Sequence, residues 1–311
     1  VGAGCTMIIK GPEEAPSAVV ALARLFHDAG LPRGVLNVVW GVPSEVSDYL
    51  IRSPVVRKIS FTGSVAVGKQ LAALAGAHMK RMTMELGGHA PVIVCDDADV
   101  EAAVNVLVPY KFRNAGQVCI SPTRFFVQQN AYDRFVAAFV DKTKTLKVGD
   151  GLQPDTKMGP LIRPPSGDLE TALKVLEPGE EWAVMPQPVE GNPCLWTPGV
   201  KYGVRPGSFT HLTEFFGPVL AVMRFEKLSE AVALVNQTGY GLTSGLESLD
   251  AREWDYWKQH LRAGNLYINR VTTGAIVLRQ PFGGMGKSSF GPGMKAGGPN
   301  YVAQFMDFTD T

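Results

Sequence analysis

FRNAGQVCISPTRF, residues 112–125, joins a segment with helical periodicity to one with strand periodicity, and it holds one of the chain's four cysteines. A structural cysteine ordinarily sits in an apolar run, where it packs as a small hydrophobe. Cys119 instead follows Asn114, Gly116 and Gln117, which read as a loop able to approach a ligand closely. Working outward, short apolar runs alternate with amphipathic segments. Upstream, CTMIIK (5–10), VLNVVW (35–40), RKISF (57–61), MKRMTMEL (79–86) and APVIVC (90–95) read as strands. Helices are expected from Pro16, with Val19, Val20, Leu22, Ala23 and Phe26 on one face, after Pro43, over 65–77 and over 99–114. Downstream, TRFFVQ (123–128) and NLYINR (265–270) read as strands, with helices over 131–145 and near 228–237. Residues 148–210, rich in Pro and Gly, yield no clear element. This alternation predicts βαβ units, a mostly parallel sheet and an α/β fold. One α/β domain ends near Gly88 and a second begins there.

The composition narrows the function. With 311 residues, 45% hydrophobic and 19% charged, the chain suits a globular protein with a sizeable core. Thirty basic against 29 acidic residues argue against a nucleic-acid or acidic-membrane surface. No apolar run reaches the length of a membrane span, and no signal-peptide pattern opens the chain. The cysteines are scattered, without a CxxC pair or a zinc-type grouping, so no metal is expected. Cys5 and Cys95 lie in apolar stretches and are expected to be buried thiols, in a cytoplasmic setting. The start at VGAGCTMIIKG, without Met and inside a strand-like run, suggests a fragment.

Several groups could carry chemistry. A cysteine of ordinary pKa is mostly protonated at neutral pH and needs a base or a positive environment to act as a nucleophile. No histidine is near Cys119 in sequence, but Glu85 lies in MELGGH and Glu214 in TEFFGPV. A carboxylate in partly apolar surroundings is pushed toward neutral pH and can serve as a general base. In FTGSVAVG (61–68), a strand running into Gly63-Ser64 at a helix N-terminus makes an anion site. Lys10 and Glu13 in KGPEE stand at the end of an adjacent strand, where they could hold ribose hydroxyls. Gly274 and Ala275, in RVTTGAIVLRQ, offer backbone N–H groups for a carboxylate. Each feature alone also fits a loop thiol, a salt-bridged glutamate, a capping residue or an ordinary Gly-rich loop.

Together, in this order, KGPEEAP, FTGSxxxG, MELGG, FxNxGQxC, ExFGPV and QPFGG resemble the aldehyde dehydrogenase superfamily over essentially the whole chain. Glu85 stands 34 residues before Cys119 and Glu214 stands 95 after it, close to that family's spacing. The resemblance implies a partial Rossmann-type cofactor domain (1–88), an α/β catalytic domain (89–287) and a tail with an oligomerisation strand (288–311). It implies that Cys119 attacks an aldehyde and that Glu85 activates the water that hydrolyses the thioester. Lys10 and Glu13 would hold the adenosine ribose, Gly63 and Ser64 would sit near the pyrophosphate, and Glu214 with Phe216 would hold the nicotinamide ribose. Glu13 favours NAD as cofactor, with NADP allowed if Lys10 compensates.

Two departures shape the expectations. Relatives carry a longer N-terminal region, so the chain is expected to be truncated. The front, to about Leu161, resembles succinate-semialdehyde-type dehydrogenases. The back, from LIRPPSG (161–167) through TTGAIVLRQPFGG to GGPNYVAQF (297–305), resembles the glutamate-semialdehyde (pyrroline-5-carboxylate) dehydrogenases of proline breakdown. There Gly274 and Ala275 would bind the substrate carboxylate. Those enzymes place Ser directly after the cysteine, where this chain has Ile120 and then Ser121. The expected substrate is a small carboxylate-bearing aldehyde such as glutamate γ-semialdehyde, with Ser121, Gly274 and Ala275 as its contacts. Alternatives are a succinate-semialdehyde-type enzyme and a non-catalytic nucleotide-binding remnant. YVAQFMDF (301–308) resembles the family's association strand, so a homo-oligomer is expected.

Overall fold

The computed structural model describes residues 1–276, 278–291, 296–298 and 301–307. They divide into two compact units. One comprises Val1–Glu85, Ala275–Phe282 and the described residues from Phe290 onward; the other comprises Leu86–Gly274 and Gly283–Ser289.

In the first unit, β1 (Met7–Lys10) pairs in parallel with β2 (Leu36–Val39), Lys10 standing opposite Val39. Helix α1 (Pro16–Asp28) and helix α2 (Pro43–Arg52) both open on proline. Its fixed φ suits the first helical turn, where the missing N–H would have no partner anyway. A second parallel pair joins β3 (Lys58–Thr62) to β4 (Arg81–Glu85), with Thr62 opposite Glu85. Between them lies α3 (Val65–Ala77), over the range its periodicity predicts. The two pairs belong to separate sheets rather than one continuous parallel sheet. The predicted apolar face of α1 is only half-covered: Val19, Ala23 and Phe26 are partly buried, while Val20 and Leu22 are exposed. Cys5 is exposed too, two residues ahead of β1, whereas Cys95 is buried as expected.

The tail differs from its sequence reading. Val302–Phe305 forms a turn of 3-10 helix, not a strand. The rings of Tyr301 and Phe305, four residues apart, meet edge-on with centroids 5.5 Å apart, a contact that a helical turn permits and an extended strand does not. Phe308, Pro299 and Asn300 lie outside the described residues, as do 292–295 of the Gly-rich segment.

The second unit is built on seven strands. In chain order its elements are β5 (Val92–Val94), α4 (Val100–Phe112), β6 (Arg124–Gln128), α5 (Gln129–Lys144), α6 (Gly167–Lys174), β7 (Glu181–Val184) and β8 (Gly199–Tyr202). Then come α7 (Phe209–Leu212), β9 (Val219–Phe225), α8 (Leu228–Gln237), β10 (Tyr240–Gly241), β11 (Thr243–Glu247), α9 (Ala251–His260), β12 (Asn265–Ile268) and β13 (Met285–Gly286). The sheet order is β12-β11-β5-β6-β9-β8-β7. Every pairing in it is parallel except β7–β8, an antiparallel edge with a bulge between Trp182 and Val184. β10 and β13 form a separate short pair.

Consecutive strand residues face opposite sides. Phe125 therefore joins a core with Leu107, Phe135 and Phe139 from α4 and α5, while Phe126 joins one with Val235 and Trp257 from α8 and α9. A parallel sheet covered on both faces needs such continuous apolar strands, and RFFV and VLAV supply them. Because β5, β6, β9, β11 and β12 run in parallel, the segments that enter them all arrive at one edge of the sheet. Gly88, Cys119, Glu214 and Gly217 lie on the entries to β5, β6 and β9.

Candidate active site

The Cys119 loop begins where α4 ends. Asn114, Ala115 and Gly116 take φ of 53°, 53° and 73°, three successive left-handed residues that turn the chain sharply out of the helix. For the two non-glycine residues this costs roughly 1–2 kcal/mol each, so the surroundings must hold them. They do so through side chains. Asn114 donates from Nδ2 to the Gln117 carbonyl at 3.1 Å. Gln117 donates from Nε2 to the Asn114 carbonyl at 2.9 Å, and its Oε1 accepts from Ile162 N at 2.9 Å. The polar residues that mark this stretch as a loop are its internal braces. Cys119 itself is partly exposed and free of disulfides.

The glycines of MELGGH are explained by close approach. A Cβ on Gly88 would lie 2.7 Å from the Cys119 carbonyl oxygen, and one on Gly87 would lie 1.9 Å from Glu214 Oε2. Gly88 N donates to Glu214 Oε1 at 2.8 Å. Glu214, the Gly87-Gly88 backbone and the Cys119 loop are thus packed together within the second unit. Burial pushes the Glu214 carboxyl up to about 7, against the lowering effects of the Gly88 N–H and of Arg124.

Two fully buried cations brace the segment that carries Glu214. Arg124, the first residue of β6, donates to the carbonyls of His211 (3.2 Å), Thr123 (2.8 Å) and Thr213 (2.6 Å) and lies over the Phe215 ring. Lys111, near the end of α4, donates to the Gly217 carbonyl at 3.1 Å. Between them, Phe216 is held at φ 53° with its side chain exposed. The sequence reading misses both cations. Lys111 interrupts the apolar run VLVPYKF and Arg124 opens RFFV, and a lone charge in or against such a run is the signal that could have found them.

Ser121 does not face outward as a substrate contact would. It is 1% exposed, and its hydroxyl donates to the Lys111 carbonyl at 2.9 Å, because the chain turns inward there to enter β6. Gly274 has φ 148°, a backbone that favours glycine, and Arg270 beside it donates to the Thr273 carbonyl at 3.2 Å. Thr272 Oγ1 donates to the Ile120 carbonyl at 2.9 Å, which ties this loop to the residue after the cysteine.

In the first unit, the candidate residues stand at strand C-termini. Lys10, at the end of β1, forms an ion pair with Glu13. Gly63 N donates to the Glu85 carbonyl at 3.1 Å. Ser64 caps α3, its Oγ accepting from Val67 N at 3.3 Å. Glu85 closes β4, half-buried. Among the described residues, no group of three His, Cys, Asp or Glu side chains is placed to hold a metal ion. No helix among them is long and apolar enough to cross a membrane.

Comparison with known proteins gives this arrangement a context. The aldehyde dehydrogenase family model matches residues 1–310. The 4-(hydroxymethyl)benzenesulfonate dehydrogenase TsaD1 of Comamonas testosteroni is 41% identical over 299 residues, covering 94% of this chain and 60% of that protein. The mitochondrial succinate-semialdehyde dehydrogenase of Arabidopsis thaliana is 37% identical, covering 97% and 57%. Among solved structures, the 1-pyrroline-5-carboxylate dehydrogenase from Thermus with bound NAD superposes with a TM-score of 0.89 at 31% identity, covering 97% of this chain and 59% of that one. The chain therefore spans about 60% of the length of the curated relatives it matches. Six ordered motifs, a cysteine loop held against paired glycines and a match along nearly its entire length lead to one assignment: this chain belongs to the aldehyde dehydrogenase family.

Proposed function

We propose that this chain provides the catalytic part of an NAD+-dependent aldehyde dehydrogenase acting on a small carboxylate-bearing semialdehyde, with glutamate γ-semialdehyde as the favoured substrate. The observation that carries the reading is the partly exposed thiol of Cys119 on a loop fixed by left-handed backbone and packed against Gly88. A nucleophile needs that combination of access and fixed geometry.

The chemistry follows from the residues. Cys119 Sγ bonds to the aldehyde carbon, and the carbonyl oxygen becomes an oxyanion to which the Cys119 backbone N–H donates; one such donor is typically worth about 10²–10³ in rate. NAD+, when bound, supplies the acceptor for the hydride that leaves this carbon. Glu85 takes a proton from the water that attacks the resulting thioester, releasing the carboxylic acid and the free thiol. Glu85 stands three residues before Gly88, the residue packed on the Cys119 carbonyl.

The residues present suit a dinucleotide. Helix α3 opens with the amides of Val65 and Ala66 ahead of its first i to i−4 bond, Gly68 N to Ser64 O, and such an N-terminus favours a pyrophosphate. Gly63 and Ser64 would frame that group, Lys10 and Glu13 would hold the adenosine ribose, and Glu214 with Phe216 the nicotinamide ribose. Glu13 favours NAD over NADP, since a carboxylate repels a 2′-phosphate. Gly274 and Ala275 would take the substrate carboxylate through their N–H groups. Ser121 is better read as a brace. The likeness of the back of the chain to glutamate-semialdehyde dehydrogenases supports the substrate, and a succinate-semialdehyde-type enzyme is the second reading, supported by the Arabidopsis relative.

NADH formation from each semialdehyde, with Cys119→Ala as control, tests this. Turnover that vanishes in the control and is faster with glutamate γ-semialdehyde is the expected result. Equal turnover by wild type and Cys119→Ala would overturn it.

A further inference from the structure

Lys111 is an unusual residue to find where it is. It is wholly buried, and among the described residues its ammonium has one hydrogen-bond partner, the neutral carbonyl of Gly217. Taking an ammonium out of water without a carboxylate beside it is costly, and a methionine of similar shape would avoid that cost. The equally buried guanidinium of Arg124 repels it. A cation kept under those conditions calls for a reason beyond packing.

Its contacts supply one. Lys111 Nζ reaches the Gly217 carbonyl across 106 positions of sequence. On the near side, a Cβ added to Gly116 would lie 3.0 Å from Nζ and 2.2 Å from the Gly217 oxygen. Gly116 is the last of the three left-handed residues that lead to Cys119, and Gly217 follows Phe216, itself at positive φ. The backbone carbonyl of the same lysine accepts from Ser121 Oγ on the far side of Cys119. One residue therefore touches the Cys119 loop before and after the thiol, and touches the Glu214–Phe216 loop at its exit.

We propose that Lys111 is a positioning residue whose side-chain nitrogen ties the loop carrying Cys119 to the loop carrying Glu214 and Phe216. This rests on the reading above only in giving those loops their catalytic meaning. Burial draws the amine's pKa down to about 7, so near neutrality the group is partly uncharged, and an uncharged amine keeps N–H donors for the Gly217 carbonyl. The tie thus needs the N–H rather than the full charge.

The test is amide hydrogen exchange on the full chain, without aldehyde or nucleotide, so a chain that forms no NADH still reports on the tie. Lys111→Met removes the N–H and keeps the bulk. The expected result is exchange at least tenfold faster in 113–119 and in 214–217 together, with the melting temperature equal to or above wild type. Lys111→Gln, which restores a donor on a shorter arm, should recover part of the protection in both segments. Unchanged exchange in either segment would overturn the proposal. So would a lowered melting temperature with protection lost throughout the sheet, since that is the signature of packing alone. Should Lys111→Met fail to fold, Lys111→Gln carries the comparison. Should both fail, the wild-type chain decides: 113–119 and 214–217 exchange with one common rate if tied, and with unrelated rates if not.

Discussion

The two units present their candidate residues at opposite ends of their strands. In the first, Lys10, the Gly63-Ser64 turn and Glu85 stand at or just past the C-termini of β1, β3 and β4. That is where a parallel sheet with helix N-termini nearby ordinarily binds a nucleotide. In the second, Gly88, Cys119 and Glu214 lie on the segments that enter β5, β6 and β9, at the strand N-termini. The helices that lead into those segments, α4 and α7, end there, so they offer C-termini rather than N-termini. The geometry of that edge comes instead from glycines that allow carboxylate and carbonyl to approach backbone, and from Lys111 and Arg124 buried beneath the loops. A site for an anionic cofactor can borrow its shape from secondary structure; a site for a nucleophile on this edge has to be braced by side chains.

The sharpest way to break this contrast is kinetic. If the nucleophile belongs to the second unit and adenosine holding to the first, Cys119→Ala lowers NADH formation by about 10⁴-fold or more, since a lost nucleophile is not replaced. Glu13→Ala should instead raise the KM for NAD by roughly tenfold with kcat little changed, as expected when only uniform binding is lost. Steady-state kinetics with NAD and NADP in parallel checks both. A Glu13→Ala enzyme whose loss falls on kcat would erase the division of labour. Glu85→Gln sits at the end of the first unit but should affect thioester hydrolysis, visible as a burst of NADH followed by a slow steady rate. Burst-free kinetics at the wild-type rate would remove Glu85 from the mechanism.

Packing divides the units as well. Both large apolar clusters lie in the second unit, whereas α1 has no buried residue and leaves Leu25 67% exposed. Phe135→Ala, at a fully buried position, is therefore expected to cost about 3–5 kcal/mol in urea unfolding. Leu25→Ala should stay within about 0.5 kcal/mol. A cost above about 2 kcal/mol at Leu25 would mean that α1 is covered in solution by a further surface.

What could be read from the sequence follows the same physics. Helix starts at Pro16 and Pro43, the span of α3 and the strand-rich stretches were legible because local rules fix them: proline geometry, Ser64 capping, apolar runs. Residues 148–210 were not legible. There β7 and β8 pair antiparallel at the sheet edge, and α6 is only eight residues long, so neither periodicity nor alternation accumulates. Lys111, Arg124 and Ser121 escaped for another reason. Their roles depend on carbonyls at Gly217, His211 and Thr213 and on the chain's inward turn, all of which are set by tertiary packing.

The remaining expectation concerns pH, and it again belongs to the second unit. Glu214 has its pKa raised by burial from 4.5 to about 7. Between those values the folded chain holds a proton that the unfolded chain releases, so this group's contribution to stability is full at low pH and is lost as pH rises to about 7. Lys111 is the mirror image, lowered by burial from 10.5 to about 7. Across that range the unfolded chain holds the proton that the folded one lacks, so stability regained from this group grows as pH climbs from about 7 toward 10.5. The two together place a minimum near neutrality, each limb on the order of a few kcal/mol. Glu214→Gln should flatten the acid limb and Lys111→Met the alkaline one, read as the difference from wild type in urea midpoints across pH. In the first unit, Asp48 and Arg52 shift chiefly through their exposed mutual pair, which should add little. An Asp48→Asn variant that reshaped the pH profile as strongly as Glu214→Gln would show that the bracing charges are not confined to the loops around Cys119.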